Sequence, residues 1–186
     1  MEQIKVSIVM PIFNASNFLH QSLGGLVNQT LENIEIICVN DGSTDDSLDI
    51  IKEYAFHDKR IKVIDKKNTG YGNSMNLGIS IAKGEYIGIL EPDDFADNNM
   101  YEELYKKALL YDADVIKSNY FEYSQKQNTD LFFEVLSGQT YEQVLNAWED
   151  DRIVFLRPCI WSAIYKRTLI TDNGILFNET PGASYQ

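Results

Sequence analysis

The sequence predicts an α/β fold, a three-layer and mostly parallel sheet flanked by helices. Two observations carry that reading. Short apolar runs alternate with segments of helical periodicity from residue 6 to residue 120, in the order βαβαβαβαβ. Two of those runs end in acidic clusters, Asn40-Asp41-Gly42-Ser43-Thr44-Asp45 and Glu91-Pro92-Asp93-Asp94. Carboxylates at the C-terminal ends of strands face the crevice where open α/β sheets bind ligands.

The elements follow in order. Residues 6–10 are the first strand, whose ladder Pro11 should stop. Phe18, Leu19, Leu23, Leu26 and Val27 recur at helical spacing and predict a helix over about 16–28. Residues 34–40 are the second strand. Ser43 or Thr44 then caps a helix carrying Leu48, Ile51 and Tyr54, with Asp45 and Asp46 as first-turn acids. Residues 61–64 form the third strand. A loop, Asn68-Thr69-Gly70-Tyr71-Gly72, opens a helix that runs to about Ala82 and stops at Gly84. Residues 86–90 are the fourth strand, followed by a helix over about 98–111 and a strand over 114–120.

After residue 122 the pattern changes. The polar run 125–130 reads as a loop or hairpin tip. Thr140-Tyr141-Glu142-Gln143 is a capping box for a helix to about Trp148, 167–173 a brief helix and 175–177 a strand. The expected organisation is a core over 1–122 that binds the nucleotide, and an acceptor-side or lid part of the same domain over 123–186, truncated at its C-terminus.

Composition narrows the function classes. With 28 Asp and Glu against 16 Lys and Arg, the net charge is −12, which argues against nonspecific nucleic-acid binding. An anionic ligand then needs local help from a metal or from helix N-termini. Cys38 and Cys159 lack metal-ligand spacing, and Cys38 lies inside an apolar strand, as a buried reduced thiol does. No apolar run approaches 18 residues and no signal peptide opens the chain, so a cytoplasmic protein is expected, peripheral to the inner face of the membrane in full length.

Four segments carry the chemistry. In Val9-Met10-Pro11-Ile12-Phe13-Asn14, a backbone fixed by proline can face a nucleobase, or it can be a plain turn capped by Asn14 or Ser16. Asp41 can accept a hydrogen bond from a donor such as a pyrimidine N3–H, or serve an Asx-turn. Asn68, Gly70 and Asn76 belong to a glycine-bearing loop and helix start that resembles a phosphate cradle. It lacks the third glycine of a dinucleotide fold and the lysine of a phosphate-binding P-loop. Glu91, Asp93 and Asp94 offer hard oxygen donors for Mg²⁺ or Mn²⁺, with Asp93 and Asp94 as the ligands.

Residues 6–14, 39–47, 68–84 and 85–94 together resemble the inverting family 2 glycosyltransferases with the A-type nucleotide-sugar fold. The resemblance covers about residues 4–120 closely and 157–186 more loosely. It implies that the residue matching Asp41 contacts the base. It implies too that the acidic triplet binds ribose and a divalent metal held on the diphosphate. Here Glu91 stands in place of the triplet's usual first aspartate, and Met75 where many relatives carry arginine. The implied partners are a nucleoside-diphosphate sugar, UDP-sugar first, and a glycan or lipid-linked acceptor.

The implied reaction is sugar transfer with inversion in polysaccharide or cell-surface glycan synthesis. A carboxylate base is expected just beyond Gln186, with Glu179 as a candidate within the chain or a solvated loop residue. Trp161 offers either a sugar-stacking floor or a packing contact. The competing readings are a nucleotidyltransferase, whose glycine-rich loop after strand one is absent, and a donor-binding domain that is catalytically incomplete.

Overall fold

The structure, a computed structural model, describes residues 3–124, 129–136, 144–152 and 156–180. In chain order its elements are β1 (Val6–Ile12), α1 (Ser16–Val27), β2 (Ile34–Asp41), α2 (Ser47–His57), β3 (Ile61–Lys66), α3 (Tyr71–Ile81) and β4 (Tyr86–Ile89). There follow α4 (Met100–Tyr111), β5 (Val115–Lys117), β6 (Tyr120–Ser124), β7 (Thr129–Phe133), β8 (Ala163–Lys166) and α5 (Arg167–Asp172).

Every residue of β1 and β2 is buried, as parallel strands covered on both faces require. The six-stranded sheet has the order β3-β2-β1-β4-β8-β5, with β6 and β7 forming a separate hairpin. Strands β1 to β4 run parallel. One face carries Ile8, Met10, Ile12, Ile36 and Cys38 against Leu19, Leu23 and Leu26 of α1, Ile51 of α2 and Tyr101 and Leu104 of α4. The other carries Val9, Ile37, Val39, Ile87 and Ile89 against Met75 and Ile79 of α3 and Ile170 of α5. The chain order reverses between β1 and β4, and a sheet of this kind opens its ligand crevice at that switch point.

Pro11 does not end β1, which continues to Ile12 and pairs Pro11 with Val39. Leu90 N–H donates to Val9 C=O at 3.1 Å, so Val9 and Pro11 direct their backbone groups toward β4. Pairing with β4 stops at Val9, so the donor that proline lacks has no ladder partner to lose.

The stretch 114–120 splits into β5 and β6. At the break Ser118 N–H donates to Ser162 C=O at 2.7 Å. The neighbour of β4 is β8, which comes from the C-terminal part of the chain and lies antiparallel between β4 and β5. Residues 175–177 are no strand; Phe177 lies beside α3, its N–H donating to Asn76 Oδ1 at 2.8 Å. The capping box 140–143 lies outside the described residues, and 144–148 form coil and a turn rather than a helix. In that turn the Asn146 side chain accepts from Trp148 N–H at 3.0 Å.

A second buried carboxylate escaped the sequence reading. Glu35, near the start of β2, is 2% exposed. It accepts from Lys83 N–H at 2.6 Å, from the Ser7 hydroxyl and from the Lys62 ammonium, while Ser7 Oγ accepts from Gly84 N–H at 2.7 Å. This network fastens the loop between α3 and β4 to the N-terminal edge of the sheet.

Candidate active site at the carboxyl ends of the parallel strands

A cavity of about 420 Å³ opens at the switch point. It is lined by the segment leaving β1 (Pro11, Ile12, Phe13, Asn14), by Asp41, by Asn68 and Gly70, and by Glu91 and Asp93. Of the expected site residues, Asn76, Asp94 and Glu179 do not line it. Tyr71, Ser74, Ala15, Phe18 and Pro92 line it and were not expected.

Asp41 is 3% exposed at the last position of β2. Its Oδ1 accepts from Thr69 N–H at 2.8 Å and its Oδ2 from Gly70 N–H at 2.9 Å, and Lys66 Nζ pairs with Oδ1. Lys66 stands opposite Asp41 in the β2–β3 register. Ending the third strand at Ile64 hid that pairing from the sequence. Gly70 precedes α3 with φ +95°, a conformation that aims its N–H at the carboxylate. Burial disfavours the charged carboxylate, but the Lys66 ammonium and the two amides outweigh it and hold the Asp41 pKa below its usual value. A carboxylate has about four lone-pair sites, and three donors occupy this one, leaving room for a fourth.

The β2–α2 loop serves the start of α1 as well as that of α2, where Ser47 N–H donates to Asp45 Oδ1 at 3.1 Å. Asn14 N–H donates to Ser43 Oγ at 3.0 Å, Ala15 N–H to Ser47 Oγ at 2.9 Å and Ser16 N–H to Asp45 Oδ2 at 3.0 Å. Asn14 adopts φ +51° and accepts from Thr44 N–H at 2.8 Å. Neither helix has a side-chain cap of its own, so Ser43 and Thr44 do not cap α2 as expected. Asp45 is pressed upward by burial, yet the Ser47 and Ser16 donors bring its pKa down to about 2.

These carboxylates set an acid limit. Glu35, Asp41 and Asp45 all have folded-state pKa values below their ordinary ones, so each stabilises the fold above the ordinary value. That contribution is lost as pH falls through the folded values. The loss of these contributions should make denaturant midpoints fall steeply from about pH 4 toward 2. A midpoint unchanged at pH 3 would contradict the network.

The acidic segment after β4 divides its labour. Glu91 accepts from the Tyr71 hydroxyl at 2.9 Å. Asp94 is raised to about 6 by burial and, next, by the charge of Asp93. Among the described residues no lysine or arginine pairs with Asp93 or Asp94. Nor do the described residues hold three or more acidic, His or Cys side chains grouped as a metal cage.

Glu179 lies beside α3, where Asn76 Nδ2 donates to it at 2.7 Å and Asn73 Nδ2 at 3.2 Å. Those donors hold its pKa below the usual value, which weakens it as a base. Residues 181–186, the approach to the expected base, lie outside the described residues. Trp161 packs edge-on against Tyr120 at 4.6 Å and does not line the cavity. Met75 is fully buried under the sheet. Burial pushes the Cys38 thiol up to about 12, and both cysteines are free.

The family model described as Glycosyl transferase family 2 matches residues 7–151. The glycosyltransferase GlyG of Streptococcus pneumoniae is 35% identical over 190 residues, covering 94% of this chain and 62% of GlyG. The crystal structure of S. aureus TarS 1-349 in complex with UDP superposes with a TM-score of 0.79 at 23% identity, over 94% of this chain and 50% of that one. The mannosyltransferase PcManGT from Pyrobaculum calidifontis, in complex with GDP-Man and Mn²⁺, gives 0.68 at 15% identity, over 98% and 50%. These two structures share the fold of this chain, and the chain spans about half to three fifths of the length of these relatives. With more than half of its length matched by one family model, and with the fold and strand-end cavity described above, this chain belongs to glycosyl transferase family 2.

Proposed function

We propose that the chain binds a nucleoside-diphosphate sugar, a UDP-sugar first, and passes the sugar with inversion to an acceptor hydroxyl in glycan or polysaccharide synthesis. The observation that carries this reading is the cavity at the β1/β4 switch point, lined on one side by Asp41 and the backbone leaving β1 and on the other by Glu91 and Asp93. Asp41 has one lone-pair site left for the N3–H of a uracil. Pro11 to Asn14 supply the rigid edge beside it, with the exposed ring of Phe13 at the rim. Glu91 and Asp93, across the cavity, suit the ribose hydroxyls and the diphosphate end.

A divalent cation fits the donor set. Asp93 and Asp94 are hard oxygen donors that repel each other with no lysine or arginine among the described residues paired to either, and Mg²⁺ or Mn²⁺ takes one or two carboxylates together with phosphate oxygens. When bound, such an ion supplies Lewis-acid neutralisation of the leaving diphosphate. The chain's own part is to orient the nucleotide between Asp41 and Asp93. The acceptor is a glycan or a lipid-linked hydroxyl. Among the described residues no helix is long and apolar enough to cross a membrane. The two free thiols suit a reducing compartment, so we read a cytoplasmic location.

A thermal-shift screen over UDP-, dTDP- and GDP-sugars with Mn²⁺ tests the reading. A UDP-sugar at one hundred times its Kd should stabilise the fold by about 2.7 kcal/mol. Excess EDTA should remove most of that shift. No shift with any nucleotide sugar contradicts the donor reading, and an EDTA-insensitive shift contradicts the metal.

A further inference from the structure

Asn76 does not line the cavity and makes a different set of contacts. Its side-chain amide pairs with one backbone residue in both directions. Nδ2 donates to Phe177 C=O at 3.0 Å, and Oδ1 accepts from Phe177 N–H at 2.8 Å. That is the pairing a neighbouring strand would make, supplied here by one side chain to a segment that belongs to no sheet. The same Nδ2 also holds Glu179 at 2.7 Å. One helical turn earlier, Gly72 lets the segment lie against α3; a Cβ there would stand 2.0 Å from Asn178 O.

The clamped segment meets the cavity at two points. The Phe177 ring packs edge-on against Tyr71 at 5.9 Å and 71°, and Tyr71, a lining residue, donates its hydroxyl to Glu91. Glu179 is joined through Asn73 and Thr69, whose hydroxyl donates to Asn73 Oδ1 at 2.7 Å, to the Lys66–Asp41 pair. A segment about a hundred residues along the chain is thus linked, through Tyr71 to the acidic end of the cavity and through Asn73, Thr69 and Lys66 to Asp41.

We propose that Asn76 is a positioning residue, which by clamping Phe177 to α3 holds the segment 176–180 and, through Tyr71, sets Glu91 for sugar transfer. Its kinetic side rests on the proposed glycosyltransferase function; the clamp itself does not. In Asn76→Ala the segment loses both backbone bonds and the Glu179 contact while the cavity lining keeps its residues. In Asn76→Asp the Phe177 N–H acceptor survives, but the new carboxylate faces that of Glu179.

The test combines hydrogen exchange with steady-state transfer kinetics from a UDP-sugar. Asn76→Ala should speed exchange of the Phe177 amide about tenfold or more, with the amides of β1 and β2 unchanged. The UDP affinity should fall by no more than several-fold, because Glu91 is displaced but not removed, while kcat for transfer falls roughly tenfold to a hundredfold, the scale for small misplacements. Asn76→Asp should behave likewise, and adding Glu179→Gln should restore part of both losses. Gly72→Ala, which forces the segment off the helix from the other side, should reproduce the Asn76→Ala profile. Unchanged Phe177 exchange overturns the clamp. Faster exchange with unchanged kcat, or no rescue by Glu179→Gln, overturns the positioning role. Exchange needs neither donor nor acceptor, so a chain that fails to bind UDP contradicts the proposed function separately.

Discussion

Replacing Asp41 by Ala should destabilise the fold by about 3–5 kcal/mol, the scale for breaking a buried ion pair by deleting one partner. Three groups lose their acceptor together. The Thr69 and Gly70 amides point into a space the methyl group cannot fill, and the Lys66 ammonium, whose side chain is 14% exposed, is left without its counter-charge. Chemical denaturation reads the change in midpoint. Adding Lys66→Met should recover part of the loss, because the stranded charge goes with it. In the folded fraction UDP affinity should also fall by roughly 1–3 kcal/mol, since the base acceptor and the order of the loop at residues 66–70 both disappear. A variant of native stability would show that the carboxylate does not organise this loop.

Glu35→Ala should destabilise by a similar amount, about 3–5 kcal/mol, for the same physical reason at the other end of β2. Glu35 is 2% exposed, and without it Lys83 N–H, the Ser7 hydroxyl and Lys62 lose a shared acceptor. Six residues of extended chain separate Glu35 from Asp41, about 20 Å at the rise of a parallel strand. The two variants should therefore separate stability from binding. Glu35→Ala lowers the denaturation midpoint and leaves the UDP affinity of the folded protein intact, whereas Asp41→Ala lowers both. Loss of UDP affinity in Glu35→Ala would mean that the network at the base of the sheet reaches the cavity.

Much of the first 120 residues was legible because burial there writes itself into composition. Strands covered on both faces must be apolar throughout, and runs such as Ile36-Ile37-Cys38-Val39 admit no other placement. The strand ends were legible for the complementary reason: a carboxylate after such a run has to point out of the core, and Asp41, Glu91 and Asp93 all reach the cavity.

What was not legible depended on contacts between distant segments. Ser43 looks like a local cap and Asp45 like a first-turn acid, yet Ser43 Oγ and Asp45 Oδ2 accept from the Asn14 and Ser16 amides at the start of α1, some thirty residues earlier. Lys66 becomes the partner of Asp41 only once the β2–β3 register is known. β8 is four residues long and nothing local marks it as the strand that separates β4 from β5. Asn76 reads as part of a loop-and-helix phosphate motif, while its amide is taken by Phe177. A signal for Tyr71 was present, an aromatic between two glycines at a helix start, but its place in the cavity lining shows only in the fold.

The central claim is that the cavity at the β1/β4 switch point holds a nucleotide between Asp41 and Asp93. A crystal structure of the chain soaked with UDP and Mn²⁺ tests it most directly. The account predicts uracil beside Pro11 to Asn14 with its N3–H on Asp41, and the diphosphate running toward Asp93 with the cation on Asp93 or Asp94. UDP bound elsewhere, for instance in the outer cavity between His20 and His57, or a cation far from the end of β4, would contradict it.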